Sequence, residues 1–193
     1  MLVYLIRHGK TAWNLEGRYQ GRSDVPLCEA GKSALGPADF SPERVYISPM
    51  KRAEETAALL FPSAQRISVP GLEEMDFGAF EGKSFRELED NPAYRAWVEG
   101  NCSASCPGGE GREGFSQRVC VAFERLMERE REQLVLVAHG GTQMAILEKY
   151  GRPRRDYFAW QSPNGGGFLL EAEDWERKRE LNLLREIKTF RMD

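Results

Sequence analysis

The sequence predicts an α/β fold: a three-layer sandwich around a mostly parallel central sheet, with an antiparallel edge strand and a helical lid insert. Two observations carry that expectation. Apolar, partly β-branched runs that end near glycine, at residues 2–7 and 134–138, read as buried strands, and the segments between such runs place apolar residues on a helical period. The only two histidines of the chain, His8 and His139, close these two runs, and each is followed by glycine. In open parallel sheets ligands bind outside the carboxyl ends of the strands. Both imidazoles therefore stand where chemistry is expected, and imidazole is the side chain whose unperturbed pKa lies nearest neutrality.

Taken in order, the first strand spans 2–7 and runs into a loop, 8–21, rich in Gly, Asn and Gln. A short helix opens at Glu29 and must end before Gly36-Pro37. Residues 45–47 form the second strand. Ser48-Pro49 opens a helix with proline in its first turn, continuing to Phe61. A brief third strand, 67–69, is closed by Pro70-Gly71. Residues 72–111 are irregular, polar and glycine-rich and read as a lid, with short helices at 84–89 and 92–99 capped by Ser84 and Asn91. A long amphipathic helix follows at 113–131, its stripe formed by Phe115, Val119, Ala122, Phe123 and Leu126. The fourth parallel strand, 134–138, leads to a helix at 142–150, then a strand at 168–170. The last strand lies within 180–184 as the antiparallel edge.

A chain of 193 residues fits a single domain, 1–193, with the lid at about 72–111. With 27 Lys+Arg scattered among 30 Asp+Glu, the sequence carries no nucleic-acid footprint, and no apolar window is long enough to span a bilayer. The amino terminus lacks the charge and length of a signal peptide, so a cytoplasmic location is expected. Cys28, Cys102, Cys106 and Cys120 read as reduced thiols. The Cys102-x3-Cys106 spacing has no second pair, so no metal site is expected. A homodimer is left open.

The chemistry-bearing residues fall into three groups. Arg7 beside His8 supplies a planar donor fork suited to phosphate oxygens, and Asn14 and Gln20-Gly21 follow in the same loop. Arg52 lies in the first turns of a helix after the second strand and so faces the same sheet edge, near a positive helix end. Two arginines and two imidazoles around one point call for an anion between them, a phosphoryl group above all. A carboxyl from the segment 72–82 can protonate a leaving oxygen and later deprotonate water; Glu74 is the choice, with Asp76 and Glu81 as competitors.

The segments Arg7-His8-Gly9-x-Thr11-x-x-Asn14, Ser48-x3-Arg52-x3-Thr56-Ala57, Leu72-x-Glu74-x3-Gly78-x-x-Glu81-Gly82 and Val137-x-His139-Gly140-Gly141 resemble, in order, the four signature blocks of the histidine phosphatase (phosphoglycerate mutase-like) superfamily. The resemblance implies that His8 is the nucleophile that becomes phosphohistidine and that Arg7, Arg52 and His139 grip the phosphoryl oxygens. It further implies that Glu74 donates the proton, that Asn14 contributes to the phosphate pocket, and that no metal or organic cofactor is used. Gln20, Gly21 and Gly140 complete the expected phosphate-binding set. For His8 to attack, one nitrogen must be unprotonated while a backbone carbonyl of the adjacent loop holds the other; His139, against a phosphate dianion, is expected to work protonated.

Segments 20–27, 75–78 and 107–110 are similar to the small bacterial phosphatase branch that includes α-ribazole phosphatases. Lys10 stands where that branch usually has an acidic residue or Gln, which adds positive charge beside His8, and Gly111 stands where Ser is frequent. The expected activity is thus a metal-independent phosphomonoesterase acting on a small phosphorylated metabolite, with α-ribazole phosphate among the candidates. The alternatives are a cofactor-dependent phosphoglycerate mutase, which would need a longer closing lid, and a non-catalytic module that binds a phospho-ligand.

Overall fold

The computed structural model describes residues 1–189. Among them seven strands form one sheet: β1 (Leu2–Arg7), β2 (Arg44–Ile47), β3 (Gln65–Ser68), β4 (Gln133–Ala138), β5 (Gly151–Arg152), β6 (Gly167–Glu171) and β7 (Leu181–Ile187), in the spatial order β3-β2-β4-β1-β6-β7-β5. The first four strands in that order run parallel, whereas β6 is antiparallel to both β1 and β7. The helices of the described residues are α1 (Ala12–Leu15), α2 (Glu29–Ser33), α3 (Lys51–Leu60), α4 (Phe85–Leu88), α5 (Pro92–Glu99), α6 (Arg112–Arg129), α7 (Gly140–Tyr150) and α8 (Trp175–Lys178). Among the described residues no helix is long and apolar enough to cross a membrane.

Strand alternation builds the layers. Val3, Leu5, Leu134 and Leu136 face α6 and α7, where they pack with Phe115, Phe123, Ile146 and Leu147; Ile6, Val45, Val135 and Val137 face the other way, against Ala53, Ala57 and Leu60 of α3. Both faces are covered, which explains why the central strands read as nearly continuous apolar runs. The register then places the site. Arg7 lies beside Ala138, and Ile47 lies beside Val137, so the residues that follow, His8, Ser48 and His139, emerge side by side from three adjacent parallel strands. The ladder continues through them, with the His8 N–H donating to Ala138 O (2.9 Å) and the Ser48 N–H to Val137 O (3.0 Å).

Several boundaries differ from the sequence expectation. The loop after His8 contains α1, a single turn held by a reciprocal cap between Thr11 and Asn14. Helix α3 begins at Lys51, so Pro49 lies outside its first turn. β7 is longer than expected and has the two-residue β5 outside it. Residues 72–111 differ most, because Leu72, Met75, Phe80, Leu88, Tyr94, Trp97 and Cys106 are buried in the larger core. The Arg118 guanidinium grips both oxygens of Glu110 (3.0 and 2.7 Å) and the Gly71 carbonyl (3.0 Å), clamping both ends of this segment to α6. It forms a packed wall of the cleft, its polar sequence reflecting short elements that bury only one or two side chains each.

Candidate active site

A cavity of about 210 Å³ opens at the carboxyl edge of β1 and β4. Arg7, His8, Asn14, Gln20, Glu74 and Gly140 line its polar end. The His8 ring is buried, and its Nδ1 lies 2.7 Å from the carbonyl of Gly9. That oxygen can only accept, so Nδ1 carries the hydrogen and Nε2 keeps its lone pair. Burial, reinforced by Arg52 and Arg7, holds the His8 pKa well below the usual imidazole value. A neutral, correctly tautomerised nucleophile results. The loop beneath it is tied to α3, since Thr56 Oγ1 accepts from the Gly9 N–H (2.9 Å) and donates to the Arg52 carbonyl (2.6 Å).

Glu74 occupies the other side of the cavity. Its Oε1 accepts from the Met75 N–H and its Oε2 from the Gly141 N–H, both at 2.9 Å. Desolvation raises its pKa, and the two amides together with Arg52 and Arg7 oppose that shift without cancelling it. The approach to Gly141 is so close that a Cβ there would collide with the Glu74 carboxylate. The two competitors are engaged elsewhere. Glu81 accepts from the amides of Arg22 (2.7 Å) and Ser23 (2.8 Å), and Asp76 caps the Gly78 N–H (2.8 Å).

His139 and Arg52 are brought next to His8 but one layer deeper, both fully buried, and neither lines the cavity. The two imidazole rings meet at 5.2 Å between centroids. His139 Nδ1 accepts from Arg52 Nε (3.2 Å), so the hydrogen lies on Nε2, which reaches Ser48 Oγ at 2.7 Å. Burial, then Arg52 and His8, depress its pKa well below the usual value. In the ligand-free site the His139 imidazole is thus held neutral, and the cation beside it is Arg52. Burial lowers Arg52 too, to about 10, which leaves it charged at neutral pH. Its other nitrogens donate to the carbonyls of Ser23 (2.9 Å) and Gly21 (2.8 Å). The network fits Gln20 with its amide nitrogen toward Thr11 Oγ1 (2.6 Å) and its oxygen toward Arg52. These bonds fix Arg52 behind the cavity without using all five of its N–H donors, and they place its positive charge beside His8.

Arg7 is oriented by one bond, Nη1 to the Ser162 carbonyl (2.6 Å), and its Nε is buried without a partner. Asn14 Oδ1 is occupied by Thr11 and by Asn164 Nδ2 (3.2 Å), which leaves its own NH2 to serve a ligand. Gly140 opens α7, an 11-residue helix whose amino terminus favours an anion. Two residues of the expected set lie outside the lining. Gly21 does not line the cavity; it is required because a Cβ there would strike the Met75 carbonyl and Glu81. Lys10 is exposed and also absent from the lining, its carbonyl accepting from the Cys28 N–H (3.0 Å). The sequence reading missed Ser48 as the partner of His139, although it heads a quoted motif. It also missed the outer lining, including Tyr19, Phe77, Trp97, Arg112, Tyr157 and Phe158, which comes from segments far apart in the chain.

Residues 3–182 match the Histidine phosphatase superfamily (branch 1). The chain belongs to this superfamily. It is 34% identical over 157 residues to a metal-independent phosphoserine phosphatase of Arabidopsis thaliana, a match covering 75% of this chain and 66% of that protein. It is also 34% identical over 161 residues to the adenosylcobalamin/alpha-ribazole phosphatase of Escherichia coli, with 77% and 78% covered. The fold is similar to that of the alpha-ribazole phosphatase from Shigella flexneri (TM-score 0.81, 29% identity, 100% and 98% covered). It also resembles a phosphoglycerate mutase from Thermus thermophilus (TM-score 0.71, 30% identity, 97% and 98% covered). Phosphatases of this histidine-based superfamily are thus the relatives that define the activity class.

Proposed function

We propose that this histidine phosphatase hydrolyses a small phosphomonoester through a phosphohistidine on His8. The observation that carries the reading is the His8 Nδ1 bond to the Gly9 carbonyl, which leaves Nε2 unprotonated at the polar end of the cavity beside Arg7 and Gly140. Nε2 attacks phosphorus and the ester P–O bond breaks, with the Glu74 proton passing to the departing oxygen. Water then attacks the phosphohistidine, its proton returns to Glu74, the P–N bond breaks and phosphate leaves. The equatorial oxygens are met by Arg7, the amino terminus of α7 and the Asn14 amide, with Arg52 and His139 setting the field behind them.

The substrate names of the relatives, α-ribazole phosphate and phosphoserine, supply the first test panel, together with aryl phosphates and 3-phosphoglycerate. Phosphate release without added metal, insensitive to chelators, supports hydrolysis. Isomerisation of 3-phosphoglycerate that is faster than phosphate release and stimulated by 2,3-bisphosphoglycerate would establish the mutase instead. Binding of these esters with no turnover would leave only the phospho-ligand module.

A further inference from the structure

The outer half of the cavity is built differently from its polar end. Its walls are flat and apolar, from Tyr19, Phe77, Trp97, Met144 and Phe158, and one charged group among them has no counterion. Arg112, the first residue of α6, makes a single long contact to the Asn101 carbonyl (3.5 Å) and lies over the Tyr157 ring, 5.1 Å from its centroid. No carboxylate among the described residues is within ion-pair distance of it. Arg18, the other arginine of this rim, is neutralised by Glu16 (2.5 Å) and Glu87 (2.8 Å). The Tyr157 side chain is buried, 6% exposed, and its hydroxyl has no hydrogen-bond partner among the described residues although Tyr157 lines the cavity. Both residues line the cavity, and neither the guanidinium nor the phenol hydroxyl is taken up by a charged or hydrogen-bonding side chain, which leaves both available to a ligand. Gly111, which caps α6 without a side-chain bond, adds the positive end of an 18-residue helix to the same spot.

We propose that Arg112 and Tyr157 form a leaving-group subsite for an anionic substituent, so that the preferred substrate is a phosphomonoester of a flat, largely apolar alcohol carrying a second acidic group. This rests on the phosphatase reading for the phosphoryl end of the cavity. The aromatic walls take the ring, Arg112 pairs with the acid, and the Tyr157 hydroxyl donates to one of its oxygens.

Binding separates this from turnover. Two non-hydrolysable probes, 4-carboxybenzylphosphonate and its neutral isostere 4-carbamoylbenzylphosphonate, are titrated calorimetrically into the wild type, Arg112→Gln and Tyr157→Phe. The wild type is expected to favour the carboxylate about tenfold or more, as for a charge-assisted hydrogen bond. Arg112→Gln should bring the ratio to about one, and Tyr157→Phe should reduce it severalfold through loss of one hydrogen bond. Equal binding of the two probes by the wild type, or an unchanged ratio in Arg112→Gln, overturns the subsite. Phosphate release from the corresponding aryl phosphates is measured in parallel. Discrimination between the phosphonates without any release sustains the subsite and removes the phosphatase reading.

Discussion

His8 and Glu74 are pushed by burial in ways that suit opposite duties. The imidazole is held neutral, with its pKa well below the usual value, while the carboxyl keeps its proton to a higher pH than an exposed glutamate does. Attack requires neutral His8, so the acidic limb of kcat/KM with an aryl phosphate should lie below about pH 6.5, the ordinary imidazole value. With an alkyl phosphate, protonation of the leaving group requires neutral Glu74, and the basic limb of that profile should flatten in Glu74→Gln. An acidic limb at or above the ordinary value would show that His8 is not held neutral. In the same variant, alkyl phosphates should lose about 10²- to 10³-fold in kcat, whereas activated aryl phosphates, which need no proton, should lose far less. Glu81→Gln should show no such leaving-group dependence and should instead lower stability, because Glu81 binds the amides of Arg22 and Ser23. The sequence made His8, His139, Arg7, Arg52 and Glu74 legible because each follows a strand or sits at a fixed offset in a short motif. It could not reveal that His139 and Arg52 bond to each other behind the cavity, because both face the same sheet edge and only packing decides their depth.

The start of α7 shows how an element constrains the acid. Alanine is favoured over glycine in a helix by about 0.8–1 kcal/mol, so local propensity alone would make Gly141→Ala stabilising. A Cβ at 141 would instead meet the Glu74 carboxylate and Phe115. The expected outcome is an unchanged far-ultraviolet spectrum, a lower melting temperature and selective loss of activity on poor leaving groups. A variant more stable than wild type with full activity would remove Glu74 from its assigned position. Thr56→Val should also destabilise, by about 1–3 kcal/mol, by leaving the buried Gly9 N–H unsatisfied. Elements with strong caps or long stripes were legible: α5 begins after Asn91, whose Oδ1 accepts from the amides of Ala93 (2.9 Å) and Tyr94 (3.2 Å), and α6 carries the expected apolar stripe. Elements of a single turn or of two residues, α1, α8 and β5, have no period to read, and tertiary contacts alone define them.

Together the two buried histidines make the protein sensitive to acid. Their folded pKa values lie below the unfolded value of about 6.5, so the stability they contribute is present above that pH and is lost as pH falls toward the folded values. Two protons taken up by the unfolded chain alone correspond to about 2.7 kcal/mol per pH unit. Glu74 has the opposite sign, its contribution being present at low pH and lost as pH rises through its raised value, but it is one group against two. The melting temperature should therefore fall clearly between pH 7 and pH 5, before the exposed carboxylates titrate. A flat profile over that interval would mean that the histidines are charged in the native state. The covalent intermediate can be read directly by quenching the wild-type protein during turnover of an aryl phosphate and analysing its peptides by mass spectrometry at alkaline pH. One phosphate on His8, lost on brief acid treatment and absent from His8→Ala, is the predicted result; a phosphate on another residue, or sustained turnover by His8→Ala, would contradict it.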